Sequence, residues 1–198
     1  MLDLFGNTLE EKRLNSTRQI VLQGRDLCTT EPRDIERFLH VLQRDNVILA
    51  EPIWEPASGY GAISKTLLKY SYEVYSTDMF PYNDENIAIS ACDFFTCKQT
   101  NCKTIFTNPP FNAQEVFLEH ALSFGVDVIF FVRLSFLSSI RRYHIYQKYN
   151  PAYVYVYSSR AQCYKNGDID KARSSMIDYC VMIWKMPYKN ETHLRWIA

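Results

Sequence analysis

No stretch of this chain is long and apolar enough to enter a bilayer. The richest run, Val126 to Leu137, is broken by Asp127 and Arg133. Met1 to Glu10 carry acidic side chains and no long apolar segment, which argues against a secretory leader. Neither sign of charge is in excess, with 22 basic against 22 acidic side chains. Attraction to nucleic acid must therefore come from a local patch rather than from the field of the whole molecule. The six cysteines show no zinc-type pairing: Cys92, Cys97 and Cys102 stand five apart, and Cys28, Cys163 and Cys180 stand alone. That pattern predicts no metal site and small buried thiols in a reducing, cytoplasmic setting. Repeats, low-complexity tracts and linkers are missing as well. The 198 residues thus predict one domain over residues 26–198, preceded by a polar arm over residues 1–25.

What is present alternates between two periods. Thr30 can cap a helix whose first turn holds Glu31, Pro32 and Arg33, and Ile35, Phe38, Leu39 and Leu42 recur at helical spacing behind it. The segment around Ile53-Trp54 reads as the first core strand. It runs into Glu55-Pro56-Ala57-Ser58-Gly59-Tyr60-Gly61 and then a helix from Ala62 to Tyr70. Strand, tight glycine loop and helix open a nucleotide-binding βαβ unit, because glycine lets backbone approach a ligand and a helix start offers free N–H groups. The third glycine of the dinucleotide fingerprint is lacking, so a pyrophosphate cofactor fits less well.

Tyr72 to Asp78 reads as the second strand, with Asp78 seventeen positions after Gly61. A carboxylate there can accept both hydroxyl hydrogens of a ribose, and a surface carboxylate capping a turn is the alternative. Asp93-Phe94 follows Ile87 to Cys92 and pairs an acid with an aromatic, a set able to hold an adenine. Lys103 to Thr107 form the next strand, and Asn108-Pro109-Pro110-Phe111 ends it. Two prolines cannot donate to a ladder, so Asn108 is left at a strand's carboxyl end, the edge at which open α/β sheets bind ligands.

A helix from Ala113 to Phe124 follows, its apolar face including His120, whose commoner role there is packing rather than proton transfer. Asp127 to Val132 reads as a central strand ending in Arg133, and Ser138 or Ser139 can open the next helix. On that helix Arg141, His144 and Lys148 share a stripe, read either as a nucleic-acid track or as a solvated face. Pro151 to Tyr157 and Met176 to Trp184 read as strands able to form a hairpin. The polar Ser158 to Ser175 between them carries Lys165, Lys171 and Arg173 and is long for an idle connection.

Trp54-Glu55-Pro56-Ala57-Ser58-Gly59-Tyr60-Gly61, Asp78, Asp93-Phe94, Asn108-Pro109-Pro110-Phe111, Arg133-Leu134-Ser135-Phe136-Leu137 and Tyr179-Cys180-Val181-Met182-Ile183-Trp184 occur in this order over about residues 26 to 186. As an ordered set they resemble the S-adenosylmethionine-dependent amino-methyltransferases, and in particular small phage-type adenine-N6 DNA methyltransferases. The resemblance implies a three-layer, Rossmann-like class I methyltransferase fold. Its mostly parallel, seven-stranded sheet would be closed by a C-terminal antiparallel hairpin.

It implies S-adenosylmethionine as cofactor, held at its methionine part by Glu55, Pro56, Ala57, Gly59 and Gly61, at its ribose by Asp78 and at its adenine by Asp93 and Phe94. Thr30 would line the methionine end, although Glu31 intervenes before Pro32 where the family has Thr-Pro. Asn108, Pro109, Pro110 and Phe111 would be the catalytic set, with Asn108 also touching the cofactor. Phe111, Arg133, Arg141, Lys165, Lys171 and Arg173 would meet the substrate, a nucleic acid and first of all DNA. A protein partner for target recognition is left open, and no membrane is implied. Cytosine N4, an RNA base, a protein glutamine amide, and a non-catalytic cofactor- or nucleic-acid-binding protein of the same fold are the alternatives.

Overall fold

A computed structural model describes residues 27–80, 82, 87–165, 177–188 and 191–198. The polar arm over 1–25 and the positions of Lys171 and Arg173 lie outside the described residues.

One run of strands pairs in parallel, the inner ones buried on both faces and the outermost exposed. They are β2 (Ile53–Glu55), β3 (Val74–Asp78), β4 (Ser90–Ala91), β5 (Thr104–Thr107) and β6 (Asp127–Arg133). Asp127 to Val132 are all buried, and the five residues from Val128 on are apolar, as a strand covered on both faces requires. Two further strands of the sheet are β7 (Tyr153–Tyr157) and β9 (Tyr179–Trp184). β9 lies antiparallel between β6 and β7. The paired strands expected near the C-terminus are present, but they do not end the sheet. β10 (His193–Ile197) adds parallel to β7 outside them. The order is β10-β7-β9-β6-β5-β2-β3-β4, eight strands rather than seven. Four of the five β10 residues are exposed, so the strand is held by its backbone ladder and leaves no apolar alternation in the sequence.

Helices cover the two faces. On one side lie α1 (Pro32–Arg44) and α2 (Ala62–Lys69), whose Ile35, Phe38, Leu42, Ile63 and Leu67 meet Phe106, Phe131 and Tyr155 of the sheet. Phe38 sits edge-on to both Phe106 and Tyr155, so truncating it to alanine would cost about 3–5 kcal/mol. On the other side, α3 (Gln114–Ser123) and α4 (Tyr143–Lys148) place Phe117, Leu118, Ala121 and Ile145 against Ile105, Phe130 and Trp184. Adjacent strand residues, such as Ile105 and Phe106, thus serve opposite cores. The result is a three-layer α/β domain. Among the described residues no helix is long and apolar enough to cross a membrane.

Three expectations fail locally. Thr30 does not cap α1: Glu31 occupies the cap and makes no side-chain cap bond, because Thr30 is the last residue of a short strand, β1 (Cys28–Thr30). That strand pairs antiparallel with β8 (Cys163–Lys165), which lies inside the stretch expected to be loop. The ribbon also changes the cysteine count. Cys28 and Cys163 form a disulfide across it, leaving Cys92, Cys97, Cys102 and Cys180 as free thiols. Their separation of 135 residues hides the pairing from the sequence, since only the fold brings the two strands together.

The chain runs from β2 outward to β3 and β4, then returns to β5 and β6 on the other side of β2. The carboxyl ends of β2 and β5 therefore flank the point where the winding reverses, which is where a crevice opens in such sheets.

Candidate active site

The first wall of that crevice is the turn after β2. Gly59 and Gly61 both have positive φ, 53° and 73°, in the region where a side chain is strained. A Cβ on Gly59 would come within 2.7 Å of the Leu27 side chain, so the turn is packed as well as bent. Gly61 sits at the start of α2 and donates its N–H to the Ser58 carbonyl at 2.7 Å. Glu55, only 2% exposed, ends β2 and accepts from both the backbone N–H and the hydroxyl of Ser64 in the first turn of α2. Ser76 of β3 donates to the same Ser64 hydroxyl at 2.6 Å. Burial pushes the Glu55 carboxyl up to about 8, against the pull of the Ser64 hydrogen bonds.

Asp78, at the end of β3, takes the N–H of Gly59 on one carboxylate oxygen and that of Phe80 on the other, each at 2.8 Å. Its pKa is raised by burial, offset by these two bonds. Farther along the rim, Asp93 caps a short 3₁₀ turn by accepting from Phe95. Phe94 is buried and stacks on Phe117 with centroids 4.4 Å apart. His120 packs edge-on to Phe94, hydrogen-bonds its carbonyl oxygen at 3.0 Å and has its pKa lowered by burial. It belongs to the packing of this wall.

The opposite wall is the end of β5. The Asn108 side-chain nitrogen donates to the Cys28 carbonyl and to the Thr30 hydroxyl, each at 3.0 Å, and lies 3.4 Å from the Cys163 sulfur. A carbonyl can only accept, so the atom facing Cys28 must be the amide nitrogen and the orientation is fixed. The amide oxygen is left without a hydrogen-bond partner among the described residues.

One cavity joins these walls. Thr30, Glu55, Pro56, Ala57, Gly59 and Asp78 line it, and so do Asp93, Phe94, Asn108 and Pro110. Gly61 and Pro109 lie behind the lining, the first shaping the turn and the second buried. Phe111 is also outside it: the Arg133 guanidinium covers its ring at 4.1 Å, and the ring packs against the core around Phe38. One face of Phe111 is therefore already occupied. Arg141 is exposed on a 3₁₀ turn capped by Ser139, ahead of α4 rather than within it. Lys165 is in β8.

Sequence reasoning missed Leu27 and the ribbon residue Cys28, which line the cavity, and the ring pair Tyr60–Tyr82 at its side, with centroids 4.8 Å apart. No pattern marked the first two. Tyr60 lay inside the glycine turn and was there to be read as a lining residue. Among the described residues no cluster of three His, Cys, Asp or Glu could hold a metal.

No protein-family profile matches this chain, and no curated protein sequence matches it significantly. Solved structures do. A Thermoplasma acidophilum protein is similar over 78% of this chain and 85% of its own, at 16% identity and a TM-score of 0.57. A Listeria monocytogenes protein, provisionally designated a class I S-adenosylmethionine-dependent methyltransferase, covers 96% and 73% at 12% identity and 0.55. A Pyrococcus horikoshii protein, provisionally designated an RNA methyltransferase, covers 76% and 83% at 12% identity and 0.51. At these identities the likeness establishes architecture, and the chain has the fold of the class I methyltransferases.

Proposed function

We propose that this protein is an S-adenosylmethionine-dependent methyltransferase acting on an exocyclic amine, with N6 of adenine in DNA as the first substrate. The reading is carried by the single cavity in which the Gly59 turn, the Asp78 carboxylate and the unclaimed Asn108 oxygen meet. The residues present fit the cofactor. The positive-φ turn gives side-chain-free backbone for its methionine part, with Glu55, Pro56 and Ala57 beside it and Gly61 shaping the turn. Asp78 keeps lone pairs for ribose hydroxyls, and Asp93 with Phe94 suits an adenine. Bound there, the cofactor supplies a methyl group activated on a sulfonium.

The rest of the chemistry falls to the chain. An adenine amine is a poor nucleophile because its lone pair is delocalised into the ring. Two acceptors aimed at its N–H bonds favour a tetrahedral nitrogen with an available pair. The Asn108 side-chain oxygen and the Pro109 carbonyl are the proposed acceptors. The diproline corner holds both on stiff backbone, so alignment costs little at the moment of reaction. No base is needed beforehand, since the amine proton becomes acidic only as the new N–C bond forms. A base rotated out of its duplex would have to displace the Arg133 guanidinium that covers the Phe111 ring before it could stack there.

RNA is the second reading, supported by the provisional designation of one structural neighbour. The test is to incubate the full chain with labelled methyl donor and, separately, DNA, RNA and a glutamine-bearing peptide, followed by mass identification of the product. N6-methyladenine from DNA, absent with Asn108→Ala, is the expected result. N4-methylcytosine, or label in RNA or peptide, would move the substrate. Tight cofactor binding without turnover on any of them would remove the enzyme.

A further inference from the structure

We propose that Thr30 is a positioning residue for Asn108: its hydroxyl holds the amide nitrogen, so that the amide oxygen is the atom left to receive a substrate amine. The inference rests on the methyltransferase reading above and gives Thr30 a task other than cofactor contact.

Three observations carry it. Thr30 is 2% exposed, so its hydroxyl has little access to water, and its oxygen lies 3.0 Å from the Asn108 nitrogen. The second amide hydrogen goes to the Cys28 carbonyl, two residues away on the same strand. One three-residue strand therefore addresses both hydrogens of one amide. An asparagine amide can flip about its last torsion, exchanging oxygen for nitrogen at little steric cost. Flipped, its oxygen would face the Cys28 carbonyl, acceptor against acceptor, and a donor would point at the amine. Without the hydroxyl the amide keeps the Cys28 carbonyl and only a weak sulfur acceptor, Cys163 at 3.4 Å, whereas two oxygen anchors fix both the flip and the tilt of its plane. Positioning of this order governs rate strongly, since small misplacements of reacting groups cost large factors.

The strand itself is held in place from outside the cavity. Glu31 donates its N–H to the Gln162 carbonyl at 3.1 Å, Asp34 accepts from the Gln162 N–H at 2.7 Å, and the Tyr164 hydroxyl donates to Glu31 at 2.6 Å. These bonds pin the ends of β1 and β8 to the start of α1. Thr30 is thereby presented to Asn108 by the fold, not by the flexibility of a loop.

The test compares Thr30→Val, which keeps the shape and removes the hydroxyl, with Thr30→Ser, which keeps the hydroxyl. Thr30→Val is expected to lower kcat by roughly ten- to hundredfold, with cofactor affinity changed by less than about threefold. Thr30→Ser is expected to recover most of the loss. Unchanged kcat in Thr30→Val, equal loss in both variants, or a fall in cofactor affinity in step with kcat would each overturn the assignment. A readout independent of turnover is the side-chain NH2 signal pair of Asn108 in NMR spectra, identified by its disappearance in Asn108→Ala. In the wild-type protein its exchange with solvent should be slow, and an unprotected pair would overturn the proposal without any Thr30 variant having to fold. If the wild-type protein methylates nothing, the function falls, and faster exchange of the amide pair in Thr30→Val than in Thr30→Ser still decides whether the Thr30 hydroxyl holds Asn108.

Discussion

Gly59 donates its backbone N–H to Asp78 at 2.8 Å, tying the turn after the first core strand to the end of the next. The bond makes the two sides of the proposed cofactor site one unit. Removing the carboxylate frees the Gly59 and Phe80 N–H groups together and takes away the proposed acceptor for the ribose. Bonds to a charged group are worth about 1.5–3 kcal/mol each. Asp78→Ala should therefore weaken S-adenosylmethionine binding by at least about tenfold, read by calorimetry. Unaltered affinity would take Asp78 out of the site.

Which parts of this were readable in advance follows from which forces built them. β6 announced itself because both its faces are buried, and its five interior positions, Val128 to Val132, are all apolar. Gly59 and Gly61 stood out because the turn needs positive φ at both, and few residues supply it. The β1–β8 ribbon left no such trace. Its strands are three residues each, and their adjacency exists only after the sheet has formed. Thr30 was recognised as a residue with a hydroxyl task, but the task went to Asn108 rather than to the helix, because the strand runs one residue further than the cap rule assumed. β10 was invisible for the opposite reason to β6: it buries one residue in five.

Asn108→Ala removes the proposed acceptor while leaving the Gly59 turn and Asp78 untouched. Methyl transfer should fall by at least about a hundredfold, in the range seen when one preorganised polar group at a reacting atom is deleted. Cofactor affinity should stay within a few-fold of the wild-type value. Parallel loss of both, measured by turnover and calorimetry on the same preparation, would make Asn108 a binding residue only.

The Cys28–Cys163 bond closes the ribbon that carries the Thr30 and Cys28 acceptors. A two-stranded ribbon of this length has little stability of its own. Reduction, or a Cys163→Ser substitution, should lower stability by about 2–4 kcal/mol and reduce methyl transfer more than cofactor binding. Alkylation of free thiols followed by intact mass reports the bond directly. A protein that carries the bond and yet loses neither stability nor turnover on reduction would separate the ribbon from the site.

Glu55 contributes to the pH response, alongside the raised carboxyls of Asp34 and Asp78. Its folded pKa, about 8, lies above the ordinary 4.5 because burial penalises the charged form. A carboxyl raised on folding contributes stability that is complete below its unfolded pKa and lost as pH rises through its folded one. Stability should therefore decline from about pH 4.5 to about pH 8, by a total on the order of 5 kcal/mol for this group. Glu55→Gln keeps an oxygen for the Ser64 N–H but cannot ionise. Its melting temperature should be close to wild type in mild acid and should fall less steeply towards pH 9, crossing above the wild-type curve. Identical slopes for the two proteins would mean that Glu55 ionises freely in the folded state, and that the buried Ser64–Ser76 hydroxyls, rather than a retained proton, meet its charge.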